Sequence, residues 1–358
     1  MGKHLINQTL PPSVERVRLE GTFRAKYRVF AVILICSALL LAGFAVSTVA
    51  MQASGRDWDF LFGSLFEKSP SEAEGEANGD LNNEENTTQS PPISEVTPIP
   101  EGAVAVISKD LSYTDRGSTY LLNETPYTPD LSALLARELS TVSPTDEPLV
   151  LILHTHSREA YQPDGATYIE GAVGDATYSD DESKNMIAVG TVLARSLQAH
   201  GIGSVHCTAA HDSPTLGGAY DRSAETVKAY LAEYPSIRYV IDLHRDAVTT
   251  DGGEVVRAVC EIEGESVAQV MAVIGTDANG TDFAGWENNL AFALQMRELL
   301  NTESRELCRP IFLRNASFHQ ELAPCSILLE IGTSGNSLDE AKRAAKLVGD
   351  ALADLIYE

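Results

Sequence analysis

The run Leu149-Val150-Leu151-Ile152-Leu153 leads directly into His154-Thr155-His156-Ser157-Arg158-Glu159. An uninterrupted apolar run of this length reads as a strand buried on both faces, the kind found in sheets covered by helices. Two further runs share that character. Ile237–Leu243 (IRYVIDL) passes into His244-Arg245-Asp246, and Ser326–Ile331 (SILLEI) holds Glu330 among apolar neighbours. Each predicted strand therefore ends in polar residues able to do chemistry.

Working outward from these strands, Lys184–His200 places Met186, Ile187, Val189, Val192, Leu193 and Leu197 at near-helical spacing and stops at Gly201. Gly203–Cys207 reads as a short strand, and Ala224–Glu233 and Trp286–Leu300 read as helices. Glu254–Ile262 and Ser266–Ile274 flank Glu263-Gly264-Glu265 and predict a hairpin. A capping-box pattern from Ser337 to Glu340 opens a last helix. Strands alternating with helices predict a three-layer α/β sandwich over residues 105–358.

The N-terminal part has a different character. Val29–Met51 contains no Asp, Glu, Lys or Arg and is long enough to cross a hydrocarbon core as a helix. Arg16, Arg18, Arg24, Lys26 and Arg28 precede it, and the chain turns acidic after it. The positive-inside rule then puts residues 1–28 in the cytoplasm and the remainder outside. The expectation is a single-pass cell-membrane protein with an uncleaved anchor, since a cleaved signal peptide has a shorter apolar region. Residues 52–104 read as a disordered acidic linker, too poor in apolar residues to offset chain entropy.

With 51 acidic and 26 basic residues the formal net charge is -25, which argues against a nucleic-acid partner. Cys207, Cys260, Cys308 and Cys325 have no CxxC spacing and read as buried free thiols, with one or two disulfides as the alternative.

Sites in open α/β sheets form beyond the carboxyl ends of strands. Two imidazoles and a carboxylate there suit zinc, with the fourth position left for water. A further carboxylate can take the water's proton and return it to the leaving nitrogen. Glu330 is the candidate for that role. A buried salt bridge from Glu330 to Arg245 or Arg222 is the bland alternative.

Several blocks resemble the stage II sporulation protein P family: HTHSREAY (154–161), Asn185–Gly201, His211-Asp212, YDRS (220–223), VIDLHRDA (240–247), VMAVIG (270–275), WENN (286–289) and LLEIGTSGNSLDEA (328–341). They cover roughly residues 105–358, in order. The resemblance implies an N-acetylmuramoyl-L-alanine amidase-like fold, zinc held by two His and one Glu, and a catalytic Glu at the position of Glu330. It further implies cleavage of septal peptidoglycan during sporulation engulfment, an associated endopeptidase activity, and stage II sporulation proteins D and M as partners. The implied ligands are His156, Glu159 and His244, with His154 and Glu182 as alternatives, and Arg245 is placed at the substrate. Phe318-His319-Gln320 departs from the family pattern, which has Asn before the Gln. The competing readings are a non-catalytic peptidoglycan-binding or partner-recruiting domain and an unrelated metallohydrolase such as a deacetylase.

Overall fold

The computed structural model describes residues 98–112, 120–139, 147–304 and 306–357. Its elements are β1 (Val104–Lys109), β2 (Leu121–Asn123), α1 (Leu131–Leu135), β3 (Val150–Leu153), β4 (Tyr168–Ile169), α2 (Val173–Ala176), α3 (Met186–Ala199), β5 (Ser204–His206), α4 (Ala219–Glu233), β6 (Tyr239–Asp246), β7 (Val255–Ile262), β8 (Glu265–Ala268), β9 (Val270–Gly275), α5 (Trp286–Glu303), β10 (Ile311–Arg314), β11 (Cys325–Thr333) and α6 (Leu338–Tyr357).

All four residues of β3 are buried, as its composition requires. It lies inside a sheet that has seven strands among the described residues, in the order β2-β10-β9-β11-β6-β3-β5. Neighbours pair in parallel except β9 and β11, which run antiparallel. Because successive side chains alternate faces, one strand feeds two cores. Val150 and Ile152 of β3, with Tyr239, Ile241 and Leu243 of β6 and Ile327 and Leu329 of β11, pack with α3, α5 and α6. Leu151, Leu153 and Val240 pack with Val227 and Tyr230 of α4 on the other face. Helices thus cover both faces, and each fully buried Leu or Ile contributes roughly 1.5–3 kcal/mol.

The predicted hairpin is real but shorter than expected. β7 and β8 pair antiparallel from Val259↔Ala268 to Ile262↔Glu265 and belong to a separate four-stranded sheet, β4-β1-β7-β8. The apolar run Ser266–Ile274 divides at Gln269, and its second half is β9 of the larger sheet. Gln269 is fully buried; its side chain donates to Asp110 Oδ1 and the Glu306 carbonyl and accepts from the Leu111 amide. These bonds hold the chain where it passes between sheets, a step that hydropathy alone does not mark. Helix α4 begins five residues before its expected start, after Gly218 in the left-handed region at φ 74°. The capping box forms as predicted: the Ser337 amide donates to Glu340 Oε2 at 2.9 Å, and the Glu340 amide donates to Ser337 Oγ at 3.3 Å.

The four described cysteines are free and buried. Among the described residues no helix is long and apolar enough to cross a membrane. The expected anchor at 29–51, and the expected linker up to residue 97, lie outside the described residues. The expected domain start at 105 falls one residue after the beginning of β1.

Candidate metal centre

After β3 the chain turns sharply, with the Glu159 amide donating to the His156 carbonyl at 3.3 Å. This turn swings His156 and Glu159 over the end of β6, which presents His244. Ligand atoms of His156, Glu159 and His244 all lie within 4.8 Å of one another. His156 Nδ1 is 3.4 Å from Glu159 Oε1, and His244 Nδ1 is 3.6 Å from Glu159 Oε2. Those separations are loose for hydrogen bonds. Two ring nitrogens and a carboxylate instead surround a common point, and this donor set fits zinc.

The loop carrying these residues is clamped from below. Asp212 Oδ1 accepts from Ser157 Oγ and Oδ2 from the Arg158 amide, both at 3.1 Å. His211 Nδ1 lies 2.8 Å from the His154 carbonyl, and Arg222 Nε donates to the His211 carbonyl at 2.6 Å. The His211-Asp212 pair and Arg222 therefore shape the loop without reaching the cluster.

His154 faces the opposite way. Its Nδ1 is 3.2 Å from the Leu243 carbonyl and its Nε2 is 2.9 Å from His206 Nε2, under Gly190 of α3. Burial, with the neighbouring His206, lowers its pKa to about 3, so it is a neutral structural imidazole. It continues the alternation of Val150 and Ile152 toward the α3 face. Glu182 is exposed ahead of α3 and outside the cluster.

Arg245, expected at the substrate, is only 3% exposed. Its guanidinium donates to the carbonyls of Thr177 and Asp246, and its amide donates to Glu159 Oε2 at 2.8 Å. Both terminal guanidinium nitrogens thus face protein carbonyls and its amide faces the Glu159 carboxylate, while Nε has no hydrogen-bond partner among the described residues. Burial opposes the charge on Glu159, but the adjacent His244 and His156 outweigh it and hold this carboxyl well below the usual range.

Glu330 is the register partner of His244 across β11 and β6, so both project on the α4 face of the sheet. The register shifts between Glu330 and Thr333, where Gly332 adopts φ 69°. Oε2 of Glu330 has no hydrogen-bond partner among the described residues. Arg245 is occupied as above, Arg222 binds the carbonyls of His211, Gly217 and Thr215, and Arg309 pairs with Asp246 at 2.7 Å. The bland ion pair from Glu330 is therefore not formed. Burial, then the negative charge of Asp246, pushes the Glu330 carboxyl up to about 8, with His244 opposing.

Sequence reasoning assigned no role to the aromatic wall of the site. Tyr220 stacks on His244 at 6.3 Å between centroids, meets His156 edge-on at 5.6 Å, and touches Phe318 at 5.7 Å. YDRS is a weak motif, and only the packing of α4 brings Tyr220 here.

The fold and cluster define an α/β domain with a strand-end group of two His and one Glu whose ligand atoms lie close enough to hold a cation. The sequence pattern of the family Stage II sporulation protein P (SpoIIP) matches residues 65–353, and the chain belongs to that family. It is 27% identical over 224 residues to the stage II sporulation protein P of Bacillus subtilis (strain 168), over 60% of this chain and 52% of that protein. The chain thus spans about half the length of that curated relative. Among solved structures it is similar to the N-acetylmuramyl-L-alanine amidase of Mycobacterium abscessus in its apo form, with TM-score 0.35 and 16% identity, covering 58% of this chain and 97% of that one. It is also similar to the catalytic domain of CwlV, an N-acetylmuramoyl-L-alanine amidase from Bacillus (Paenibacillus) polymyxa var. colistinus, with TM-score 0.36 and 14% identity, covering 58% and 97%.

Proposed function

We propose that the protein is a zinc-dependent hydrolase that cleaves the amide between N-acetylmuramic acid and L-alanine of peptidoglycan during sporulation. The observation that carries this reading is the convergence of His156, Glu159 and His244 beside the unpartnered carboxyl of Glu330. Zinc bound there would polarise the scissile carbonyl and acidify a water. Glu330 takes the water's proton and returns it to the leaving nitrogen, a task suited to a carboxyl whose pKa stands near neutrality. Arg245 holds Glu159 from behind through its amide. Tyr220 and Phe318 offer aromatic faces against which a sugar ring packs.

The membrane anchor at 29–51, with the hydrolase outside the cytoplasm and tethered by the acidic linker, is part of the same reading and rests on charge asymmetry alone. Partnership with stage II sporulation proteins D and M, and the endopeptidase activity, rest on family membership. The test is digestion of purified sacculi by the zinc-loaded protein, with mass spectrometry of the products. Stem peptides with a free N-terminal alanine are expected. Products that all retain the muramoyl-alanine amide overturn the assignment.

A further inference from the structure

Asp242 sits in the apolar run of β6 and is 2% exposed. A carboxylate in that setting is costly unless charged or polar donors surround it. The Thr155 amide donates to Oδ1 at 2.8 Å, and the Thr155 hydroxyl donates to Oδ2 at 2.7 Å. Two imidazoles face the same Oδ2: His244 Nε2 at 3.2 Å and His319 Nε2 at 3.2 Å. The His244 contact is an ion-pair distance that lies off the line of a good hydrogen bond. Asp242 and His244, two positions apart on one strand, share a sheet face.

We propose that Asp242 is a positioning residue that orients the His244 ring, keeping a proton on Nε2 and directing Nδ1 toward Glu159 and His156. This rests on reading those three residues as a cation site. Through Thr155 the same carboxylate fixes the residue between His154 and His156, so it ties together the two segments that supply imidazoles. Metal-bound histidines commonly present their second nitrogen to a carboxylate in this way.

His319 completes the arrangement at a conformational cost. Phe318 and His319 both occupy the left-handed region, at φ 51° and 49°. Non-glycine residues persist there when their surroundings over-determine the backbone. Gln320 does so: its side chain donates to the Val273 carbonyl and accepts from the Gly275 amide, each at 2.9 Å, while its carbonyl accepts from Asn289. The departure of this segment from the family pattern thus places an imidazole against Asp242.

Asp242→Asn distinguishes positioning from bulk structure. Its oxygen can still accept from the Thr155 amide, so the amide NH2 then faces Thr155 Oγ1 and His244 Nε2. His244 must accept at Nε2 and hold its proton on Nδ1, the atom aimed at the cation. The test titrates zinc, against a competing chelator, into metal-free wild type, Asp242→Asn and His244→Ala, and records the imidazole N–H resonances of the zinc-loaded proteins. The expected result is zinc affinity weakened about 10- to 100-fold in Asp242→Asn. A slowly exchanging His244 Nε2–H resonance is expected in wild type and absent from the variant. If wild type binds zinc but Asp242→Asn binds it within threefold, the positioning role is wrong and the site stands. If wild type and His244→Ala bind zinc alike, the site reading itself falls, and this inference with it. Should Asp242→Asn fail to fold, the wild-type spectrum decides: a His244 proton on Nδ1 of the loaded protein overturns the proposal.

Discussion

Replacing Glu330 by Gln keeps size and polarity but removes the ability to accept a water's proton near neutral pH. General acid–base help is worth about 10²–10⁴-fold, or roughly 3–5 kcal/mol of transition-state stabilisation. Glu330→Gln is therefore expected to lower sacculus hydrolysis by at least 100-fold with zinc retained. The structure also sets the stability outcome. Oε2 has no partner, and the nearby Arg309 is paired to Asp246, so the substitution leaves no buried cation stranded. The thermal midpoint of the metal-free protein should shift by no more than about 2 °C near pH 4, where the carboxyl is protonated in both states, as for a change well below 1 kcal/mol. The pH dependence has a definite sign. In the metal-free protein the carboxyl is raised from 4.5 to about 8, so the folded state keeps a proton that the unfolded chain releases. That contribution to stability is complete below pH 4.5 and is lost as pH rises through 8. The midpoint of wild type should therefore fall relative to Glu330→Gln across that window. Dye-release or turbidity assays on sacculi, zinc analysis and scanning calorimetry measure all three. More than about a tenth of wild-type turnover in folded, zinc-loaded Glu330→Gln refutes the base assignment. A marked loss of midpoint with near-normal turnover points instead to a structural carboxylate.

His244→Ala should lose most of its zinc while remaining folded, and one equivalent of zinc by elemental analysis would remove His244 from the ligand set. Gly190→Ala should destabilise by about 1–3 kcal/mol, as overpacking does, because a Cβ there would lie 2.5 Å from His206 Nε2 and 2.7 Å from His154 Nε2. Urea unfolding of Gly190→Ala alone and with His206→Ala checks this, and equal losses in the two backgrounds would contradict the clash. Protease added outside spheroplasts should degrade the region after residue 51, and its full protection beside a digested external control would reverse the proposed orientation.

The strand positions, and the residue types that stand at their ends, were legible in the sequence alone. Continuous apolar runs such as 149–153, 237–243 and 326–331 have one low-energy fate, burial in a covered sheet. Polar residues immediately after them must emerge at the sheet's edge, so two imidazole-bearing segments and Glu330 were legible as candidates. Capping at Ser337 and Glu340 was legible too, because it is local in the chain. Sequence could not choose between His154 and His156. The strand ends at Leu153, and the following turn cancels the two-residue alternation that would otherwise put both rings on one face. Nor could it show that Arg245 turns inward to carbonyls, that Gln269 carries the chain between sheets, or that Tyr220 stacks on His244. The blocks at 211–212 and 220–223 signalled that something was there without saying what it held. Each of those outcomes joins residues far apart in the chain, as Thr155, Asp242 and His319 are joined. Such a partnership depends on how the strands are ordered and which helix covers which face, and neither is written in local hydropathy.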